Sequence, residues 1–195
     1  MSITDIDRLN APDRVPGAVY LAPSAFENDL ESELRRRGKN IVFKSGRLLG
    51  TRERAFEAVW AENIWYEPQI LPIHSISDGA RKLKAIQRNW GLFSVQEHRR
   101  ARLIEALLPK VSAKPLEFGS PPPASPLGSW TLIGRDRILA SASCSSPFVN
   151  GRVLFCENKK TPPNRAYLKL WEFFTRTGIR PAPSDLCLDL GSSPG

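Results

Sequence analysis

The chain has 195 residues, 41% of them hydrophobic, and includes five Trp and nine Phe, so it can build a packed core and wholesale disorder is excluded. Its net charge of +8 is concentrated: residues 79–114 carry nine Lys and Arg against two Glu, a net +7, whereas residues 1–78 carry a net −2. Such a localised basic stretch favours a polyanionic partner, and the alternative is a solvated helix face.

No apolar run approaches the ~20 residues that a membrane span requires, and residues 1–15 form a polar tail without the apolar run of a signal peptide. Three cysteines, Cys144, Cys156 and Cys187, stand at unrelated spacings without a Cys-x-x-Cys pair. With only two histidines, which we interpret as structural, this pattern argues against a metal site and a disulfide framework. It favours a reducing, cytoplasmic location.

The first predicted elements form the opening of a small α+β unit. A strand over 18–23 leads to a helix over 25–37, which a capping box of Ser24 and Glu27 begins. Leu30, Leu34 and Phe26 repeat at a spacing of four and predict the buried face of that helix. "NIVFKSGRLLGT" then predicts two short strands around a Ser-Gly turn, whereas the segment that follows, to residue 67, fits helix or strand.

The basic stretch coincides with two predicted helices. The first begins at Asp78, which can cap it, and runs to Gly91; "GLFSV" is a candidate strand. The second covers "QEHRRARLIEALLPK", with Leu103, Ala106 and Leu107 facing inward. Seven cations lie on these elements and are candidate polyanion contacts: Arg81, Lys82, Lys84, Arg88, Arg99, Arg100 and Arg102.

The second half of the chain is rich in proline. Five prolines between residues 114 and 129 predict a loop or spacer, and residues 130–143 predict two strands around "GRD". A helix starting at Thr161 follows, and its stripe of Tyr167, Leu170, Trp171 and Phe174 predicts the packed face. "LCLDL" (186–190) reads as a short buried strand.

The last residues, "DLGSSPG", combine an acid at a strand's carboxyl end with two glycines four positions apart. Doubly wound α/β sheets bind cofactors at this place, and glycines let a ligand approach the backbone. The spacing fits the dinucleotide fingerprint poorly. The alternative is an ordinary terminal segment, in which Gly, Ser and Pro are common.

Two motifs together, "NRAYLKLWEFF" and "LCLDLGSSPG", resemble the FtsJ-like ribose 2′-O-methyltransferases, which have an Arg-Ala-x-x-Lys-Leu helix about twenty residues before a strand ending Asp-Leu-Gly-x-x-Pro-Gly. "VYLAPSAFENDLESEL" and "ASCSSPFVNG" are similar to the RlmM-type enzymes, which modify a cytidine of large-subunit ribosomal RNA. The resemblance implies a ferredoxin-like, THUMP-type RNA-binding region over 16–160. The first helix and strand of a Rossmann-like methyltransferase domain would then occupy 161–195.

The resemblance also assigns roles to residues. Lys169 matches a catalytic lysine, whose positive charge stabilises the developing alkoxide of a ribose hydroxyl; the alternative is a solvated lysine. Arg165 contacts RNA phosphate or is a surface arginine, and Trp60, Trp65, Trp90 and Trp130 either stack bases or belong to the core. The cofactor S-adenosylmethionine would be bound by the terminal loop: Asp189, Gly191, Ser192, Ser193, Pro194 and Gly195.

The leading hypothesis is therefore the N-terminal, RNA-binding part of an S-adenosylmethionine-dependent rRNA ribose methyltransferase, truncated at the cofactor loop. One alternative is a stand-alone basic RNA-binding module with a methyltransferase remnant. Another is an interaction protein whose tail docks on a methyltransferase.

Because the family's other catalytic residues and most of its sheet lie beyond "DLGSSPG", we expect residues 1–195 alone not to methylate RNA and to bind S-adenosylmethionine very weakly. Isothermal titration calorimetry checks this expectation. Micromolar binding of the cofactor would contradict it.

Overall fold

The structure, a computed structural model, describes residues 15–112, 114–157, 160 and 165–188. The chain divides into two compact units. The described residues of Met1–Ala113 together with Pro123–Arg152 form the first, and those of Lys114–Pro122 with Val153–Gly195 form the second. Both helices and sheets are present, as the α+β prediction requires. Within the described ranges, no helix is long and apolar enough to cross a membrane.

The described part of the first unit contains three α-helices, a short 3-10 helix at Val149–Gly151 and two sheets. Its elements in chain order are β1 (Ala18–Leu21), α1 (Glu27–Arg36), β2 (Ile41–Ser45), β3 (Leu48–Thr51), β4 (Asn63–Tyr66), β5 (Gln69–Pro72), α2 (Ile76–Ile86), β6 (Trp90–Leu92), α3 (His98–Glu105), β7 (Gly128–Gly134), β8 (Arg137–Ser141) and β9 (Ser143–Cys144). The predicted strand pairs around "SG" and "GRD" are therefore confirmed, whereas of the candidate strand "GLFSV" only Gly91 and Leu92 belong to a strand, which begins at Trp90.

The chain crosses between the two sheets twice. The first sheet has the order β2-β3-β1-β4-β9 and is antiparallel throughout. The second has the order β5-β8-β7-β6, in which β6 and β7 are parallel. Two residues separate β4 from β5 and one separates β8 from β9, so the pair β4–β9 in one sheet continues into the pair β5–β8 in the other.

The two sheets pack face to face around one shared core. Val19, Leu21 and Trp65 of the first sheet meet Ile133 and Leu139 of the second, and all five are fully buried. Successive side chains of a strand point to opposite faces. The remaining buried side chains of these strands therefore point away from the shared core and must be covered from outside.

Helices supply that cover on both sides. Leu30 and Leu34 of α1 pack against Tyr20, Leu49 and Ile64 of the first sheet. The outer face of the second sheet, which includes Trp130, Leu132 and Ile138, is covered by α2 and α3. The first unit is consequently a four-layer sandwich with α1 on one outer side and α2 with α3 on the other, and both faces of each sheet are covered except at the edge strand β5, where Gln69 and Pro72 are exposed.

The start of α1 differs from the prediction. The helix begins at Glu27, its N-cap is Phe26, and no side chain caps it, so the Ser24–Glu27 capping box is wrong. The reason is that Ala25 has a left-handed φ of 72°, so the chain still turns there and Ser24 precedes the N-cap by two residues. Phe26 is also not core: it is 42% exposed and stacks on Trp60.

The buried face of α3 is also not the predicted one. Ala101 and Ile104 are fully buried against the second sheet, whereas Leu103 and Leu107 are each 46% exposed. The helix ends at Glu105, and the chain beyond it turns so that Leu108 becomes the next buried residue. The prediction extended the helical periodicity of apolar residues beyond Glu105, where the helix ends, and therefore selected the wrong face of α3 as buried.

The second unit is built around α4 (Tyr167–Thr177) and an aromatic cluster. Trp171 stacks on Phe118 with ring centroids 4.5 Å apart and meets Phe155 and Tyr167 edge-on. Residues 114–122 thus join α4, although they belong to the predicted proline-rich loop. Leu170 was predicted to pack with Trp171 but is 59% exposed, because the aromatic cluster covers only the Tyr167–Trp171–Phe174 side of the helix.

The predicted strand over 186–190 is not present in its described part. Residues 185–188 form no strand, Leu186 is fully exposed and Leu188 is 81% exposed. A short apolar strand is stabilised by pairing with neighbours on both sides, and no strand pairs with these residues. Residues 189 and 190 lie outside the described residues.

Gly50 provides a test of how tightly the first sheet packs. A Cβ atom on Gly50 of β3 would lie 2.0 Å from the ring of Phe43, which is fully buried in the core. We therefore expect Gly50→Ala to lower the free energy of unfolding by about 1–3 kcal/mol through overpacking. Urea denaturation measures this change. Gly134→Ala, whose new Cβ would meet atoms no closer than 3.4 Å, is the control, and an equal loss in both variants would contradict the prediction.

Candidate nucleic-acid interface

Six of the seven predicted cations lie on α2 and α3, in one layer of the first unit, and Arg88 follows α2 by two residues. Helices α2 and α3 pack on each other and against the same face of the second sheet. Because Ala80 and Leu83 of α2 and Ala101 and Ile104 of α3 face the sheet, the charged side chains lie on the other sides of both helices. Two of the seven side chains, Lys82 and Arg100, are half-buried. The other five are exposed: Arg81, Lys84, Arg88, Arg99 and Arg102.

Ion pairs divide these cations into two groups. Asp78 pairs with both Arg81 and Lys82, and Arg102 pairs with Glu105. The other group, Lys84, Arg88, Arg99 and Arg100, has no carboxylate within ion-pairing distance among the described residues. We call these four residues the unpaired cations of the α2/α3 layer. Their charge is not neutralised by ion pairs, as that of Arg81, Lys82 and Arg102 is, although Arg100 is half-buried with its Nε enclosed.

Asp78 is held in place by the start of α2. The N-cap of this helix is Ser75, whose Oγ accepts the N–H of Asp78 at 3.0 Å, and the carboxylate of Asp78 accepts the N–H of His74 at 3.0 Å. The prediction that Asp78 is itself the cap is therefore wrong; it lies in the first turn and completes a reciprocal capping pair. The hydrogen bond from the backbone N–H of His74, together with the nearby cations Arg81 and Lys82, lowers the pKa of Asp78 to about 2.

The first turn of α3 has the opposite character. It contains His98, Arg99 and Arg100 and no acid, and its N-cap, Glu97, makes no side-chain capping hydrogen bond. Cations near a helix N-terminus are disfavoured by the helix dipole, which attracts anions there. Nδ1 of His98 lies 2.6 Å from Oγ of Ser94. The acid nearest in sequence to these cations is the N-cap residue Glu97, and among the described residues it forms no ion pair with them, so the basic groups of this turn are not neutralised.

Three of the four tryptophans considered for base stacking belong to the core. Trp65 and Trp130 are fully buried, and Trp90 is 3% exposed and donates its Nε1–H to the backbone oxygen of Leu83 at 2.9 Å. Only Trp60 is half-buried, and its ring already stacks on Phe26 at a centroid distance of 5.0 Å. Direct stacking of bases on the three buried rings is excluded.

The candidate residues of the second unit lie on or near α4. Lys169 is exposed on this helix, away from the aromatic cluster. Arg165 forms an ion pair with Glu157 at 2.6 Å, which reduces the charge it offers to a phosphate. The six predicted cofactor-binding residues, Asp189, Gly191, Ser192, Ser193, Pro194 and Gly195, lie outside the described residues.

One basic cluster was missed from the sequence. Arg37 and Lys39 both lie over the ring of Phe56, at 5.7 and 5.4 Å from its centroid. Phe56 stands in the segment whose secondary structure the sequence left open, and Arg37 was assigned to the end of a helix. Sixteen residues lie between Lys39 and Phe56 and eighteen between Arg37 and Phe56, so no local pattern links the cations to the ring and only the fold brings them together.

Comparison with known proteins gives no relative: no protein-family model matches the chain, and no curated protein matches it. Among the described residues there is also no group of His, Cys, Asp or Glu that could hold a metal ion. The functional argument therefore depends on the chain's own residues.

The depressed pKa of Asp78 gives a pH prediction. Since its pKa is lowered from 3.8 to about 2, the ionised carboxylate stabilises the fold above pH ~4, and this contribution is lost as the pH falls through about 2. We expect Asp78→Asn to lower the melting temperature at pH 6, and we expect the difference from the native chain to shrink between pH 4 and pH 2. Differential scanning fluorimetry across this range measures both effects.

Asp136→Asn is the matched control, because Asp136 is a 76% exposed carboxylate in the β7–β8 turn. If the melting temperatures of both variants follow the same pH dependence relative to the native chain, the assignment of this effect to Asp78 is wrong.

Proposed function

We propose that this chain is the RNA-binding part of an S-adenosylmethionine-dependent rRNA ribose methyltransferase, and that the α2/α3 layer contacts the RNA. The observation that carries the proposal is the set of unpaired cations: Lys84, Arg99 and Arg100 lie on two helices that pack together on one outer side of the first unit, and Arg88 follows α2 by two residues. Proteins that bind RNA through its backbone use clusters of this kind.

Structured RNA fits this surface better than an unpaired strand does. The A-form major groove hides its bases, so duplex RNA is recognised mainly by shape and by contacts to phosphates and 2′-hydroxyls. The α2/α3 layer presents charged, flexible side chains, while Trp90 and Trp130 beneath it are buried. It thus supplies phosphate contacts without an exposed tryptophan ring on which bases could stack.

The catalytic half of the proposal depends on the resemblance of "NRAYLKLWEFF" and "LCLDLGSSPG" to the FtsJ-like enzymes. The exposure of Lys169 supports it, because a lysine that assists a ribose hydroxyl must reach the substrate. Packing does not oppose this role, since the aromatic cluster occupies the other side of α4. The cofactor loop lies outside the described residues, so the proposal takes no support from the geometry of a cofactor site. A ferredoxin-like, THUMP-type origin for the first unit is proposed on the same resemblance.

A second candidate is an RNA-binding module without catalysis. The observation that favours it is the completeness of the first unit, in which both faces of both sheets are buried in three clusters of core residues. RNA binding by the α2/α3 layer is common to both candidates. Transfer of a methyl group from S-adenosylmethionine by a complete enzyme that contains this chain, and its loss in Lys169→Ala, belongs only to the first, since residues 1–195 alone are not expected to methylate RNA.

The RNA contact is tested with a variant that removes one unpaired cation from each helix. We expect Lys84→Gln/Arg99→Gln to weaken binding to an RNA duplex of about 16 base pairs, the length that one duplex-binding domain spans. The dependence of log affinity on log salt concentration should become flatter by about 1–2 units, because two phosphate contacts are lost. Fluorescence anisotropy at several salt concentrations measures both quantities.

The control variant is Arg35→Gln/Lys44→Gln. It also removes two positive charges from the first unit, but both of these cations pair with Glu31 and lie on or beside α1. Equal affinities and equal salt slopes for the two double variants would show that the α2/α3 layer is a solvated surface and would overturn the proposal.

A further inference from the structure

A second unpaired basic surface lies at the carboxyl end of α1. It consists of Arg36, Arg37, Lys39, Arg54 and Phe56, and we call it the α1-end cluster. Arg37 and Lys39 lie over the ring of Phe56, and Nζ of Lys39 donates a hydrogen bond to the backbone oxygen of Arg54 at 3.0 Å. These contacts join residues from the end of α1 to residues of the loop between β3 and β4.

The charge of this cluster is not neutralised by ion pairs. Arg35, one residue earlier, pairs with Glu31 at 2.8 Å, but among the described residues no carboxylate lies within ion-pairing distance of the cluster's four cations. The three acids of the adjoining loop have other partners, and one of them, Glu62, pairs with Arg47 and Arg152. Glu53 accepts the N–H of Asn40 at 2.8 Å, and Glu57 accepts the hydroxyl of Tyr66 at 2.8 Å.

The helix dipole accounts for only part of this arrangement. Cations in the last turn of a helix are stabilised by the partial negative charge at its carboxyl end. This effect explains the positions of Arg36 and the neighbouring Arg37. Lys39 and Arg54 lie beyond the helix. Phe56 packs against Tyr20 at a ring-centroid distance of 5.9 Å, and Arg37 and Lys39 both lie over its ring. Ordered cations of this kind lose less side-chain entropy when they bind a ligand.

We propose that the α1-end cluster is a second RNA contact of this chain and that it binds single-stranded RNA. An ordered guanidinium plane stacks on unpaired bases, and the neighbouring cations follow the backbone of the strand. The α1-end cluster belongs to the α1 layer, on the opposite outer side of the sandwich from α2 and α3. The inference rests on the proposed function for its RNA partner but depends on different residues.

The opposite positions of the two surfaces have a consequence for the mode of binding. Two sheets separate α1 from α2 and α3, so one RNA duplex on the α2/α3 layer leaves the α1-end cluster accessible. The chain would therefore hold a duplex and an adjoining single strand at the same time. Substrates that combine the two, such as a helix with an unpaired extension, would bind more tightly than either part alone.

Arg37→Gln/Lys39→Gln tests this inference, with Arg35→Gln/Lys44→Gln as the matched control from the same layer. The probes are a labelled oligouridine of about 10 nucleotides, within the site size of single-strand-binding domains, and the duplex described above. We expect the test variant to bind oligouridine about 10-fold more weakly, with a salt slope flatter by about 1 unit. We expect it to bind the duplex as the native chain does.

The control variant should bind both probes like the native chain, and Lys84→Gln/Arg99→Gln should lose affinity for the duplex only. Circular dichroism verifies that each variant is folded, and Arg37→Lys/Lys39→Arg, which keeps both charges, should retain most of the oligouridine affinity. Excess unlabelled duplex should not displace the oligouridine from the native chain.

Three results would overturn the inference: an equal effect of the test and control variants on oligouridine binding, displacement of oligouridine by the duplex, and tighter binding of polyglutamate than of oligouridine, which would indicate an acidic protein partner. The two proposals fail separately. If Lys84→Gln/Arg99→Gln leaves duplex binding unchanged, the proposed function fails, whereas the inference about α1 is decided by the oligouridine measurements.

Discussion

The face-to-face packing of two sheets through Val19, Leu21, Trp65, Ile133 and Leu139 sets the arrangement of everything else in the first unit. A sheet whose inner face is buried in this way still exposes an apolar outer face, which only another layer can remove from water. Helix α1 has one apolar stripe and covers one sheet, while α2 and α3 together cover the other. The basic side chains of these helices are thereby directed to two opposite outer surfaces.

The link between the sheets makes this packing specific. Asn63 of β4 is 1% exposed, and its side chain accepts the N–H of Ser146 at 3.2 Å and donates to Oγ of Ser129 in β7 at 3.4 Å. Where β8 passes into β9, Oγ of Ser141 donates to the backbone oxygen of Tyr66. Buried polar groups that are satisfied only in one register favour a unique alignment of the two crossing strand pairs.

Counting charges along the sequence overstates one basic surface and overlooks another. Nine Lys and Arg lie between residues 79 and 114, but Asp78 and Glu105 neutralise part of that charge through Arg81, Lys82 and Arg102. Residues 1–78 have a net charge of −2, yet their acids are occupied elsewhere: Glu33 is buried and accepts the backbone N–H groups of Val59 and Trp60. Pairing, and not net charge, decides which cations a polyanion meets.

The sequence by itself determined the elements that depend on local chemistry. The turns of "KSGR" and "GRDR", the acid-to-base gradient of α1 and the basic character of α2 and α3 all follow from neighbours within a few residues. The stripe of Tyr167, Trp171 and Phe174 likewise predicted the packed side of α4. The position of six of the seven candidate cations on helices was predictable for the same reason, whereas Arg88 lies two residues beyond the end of α2.

Only the tertiary structure decided what depends on distant residues. Three features each depend on a partner from another element. They are the burial of Ala101 and Ile104 instead of Leu103 in α3, the exposure of Leu170, and the contacts of Arg37 and Lys39 with the ring of Phe56. Hydrophobic periodicity specifies that a face is apolar but not what covers it, because burial is a property of the pair of surfaces. For the same reason, the partition of cations into paired and unpaired groups is a property of the fold.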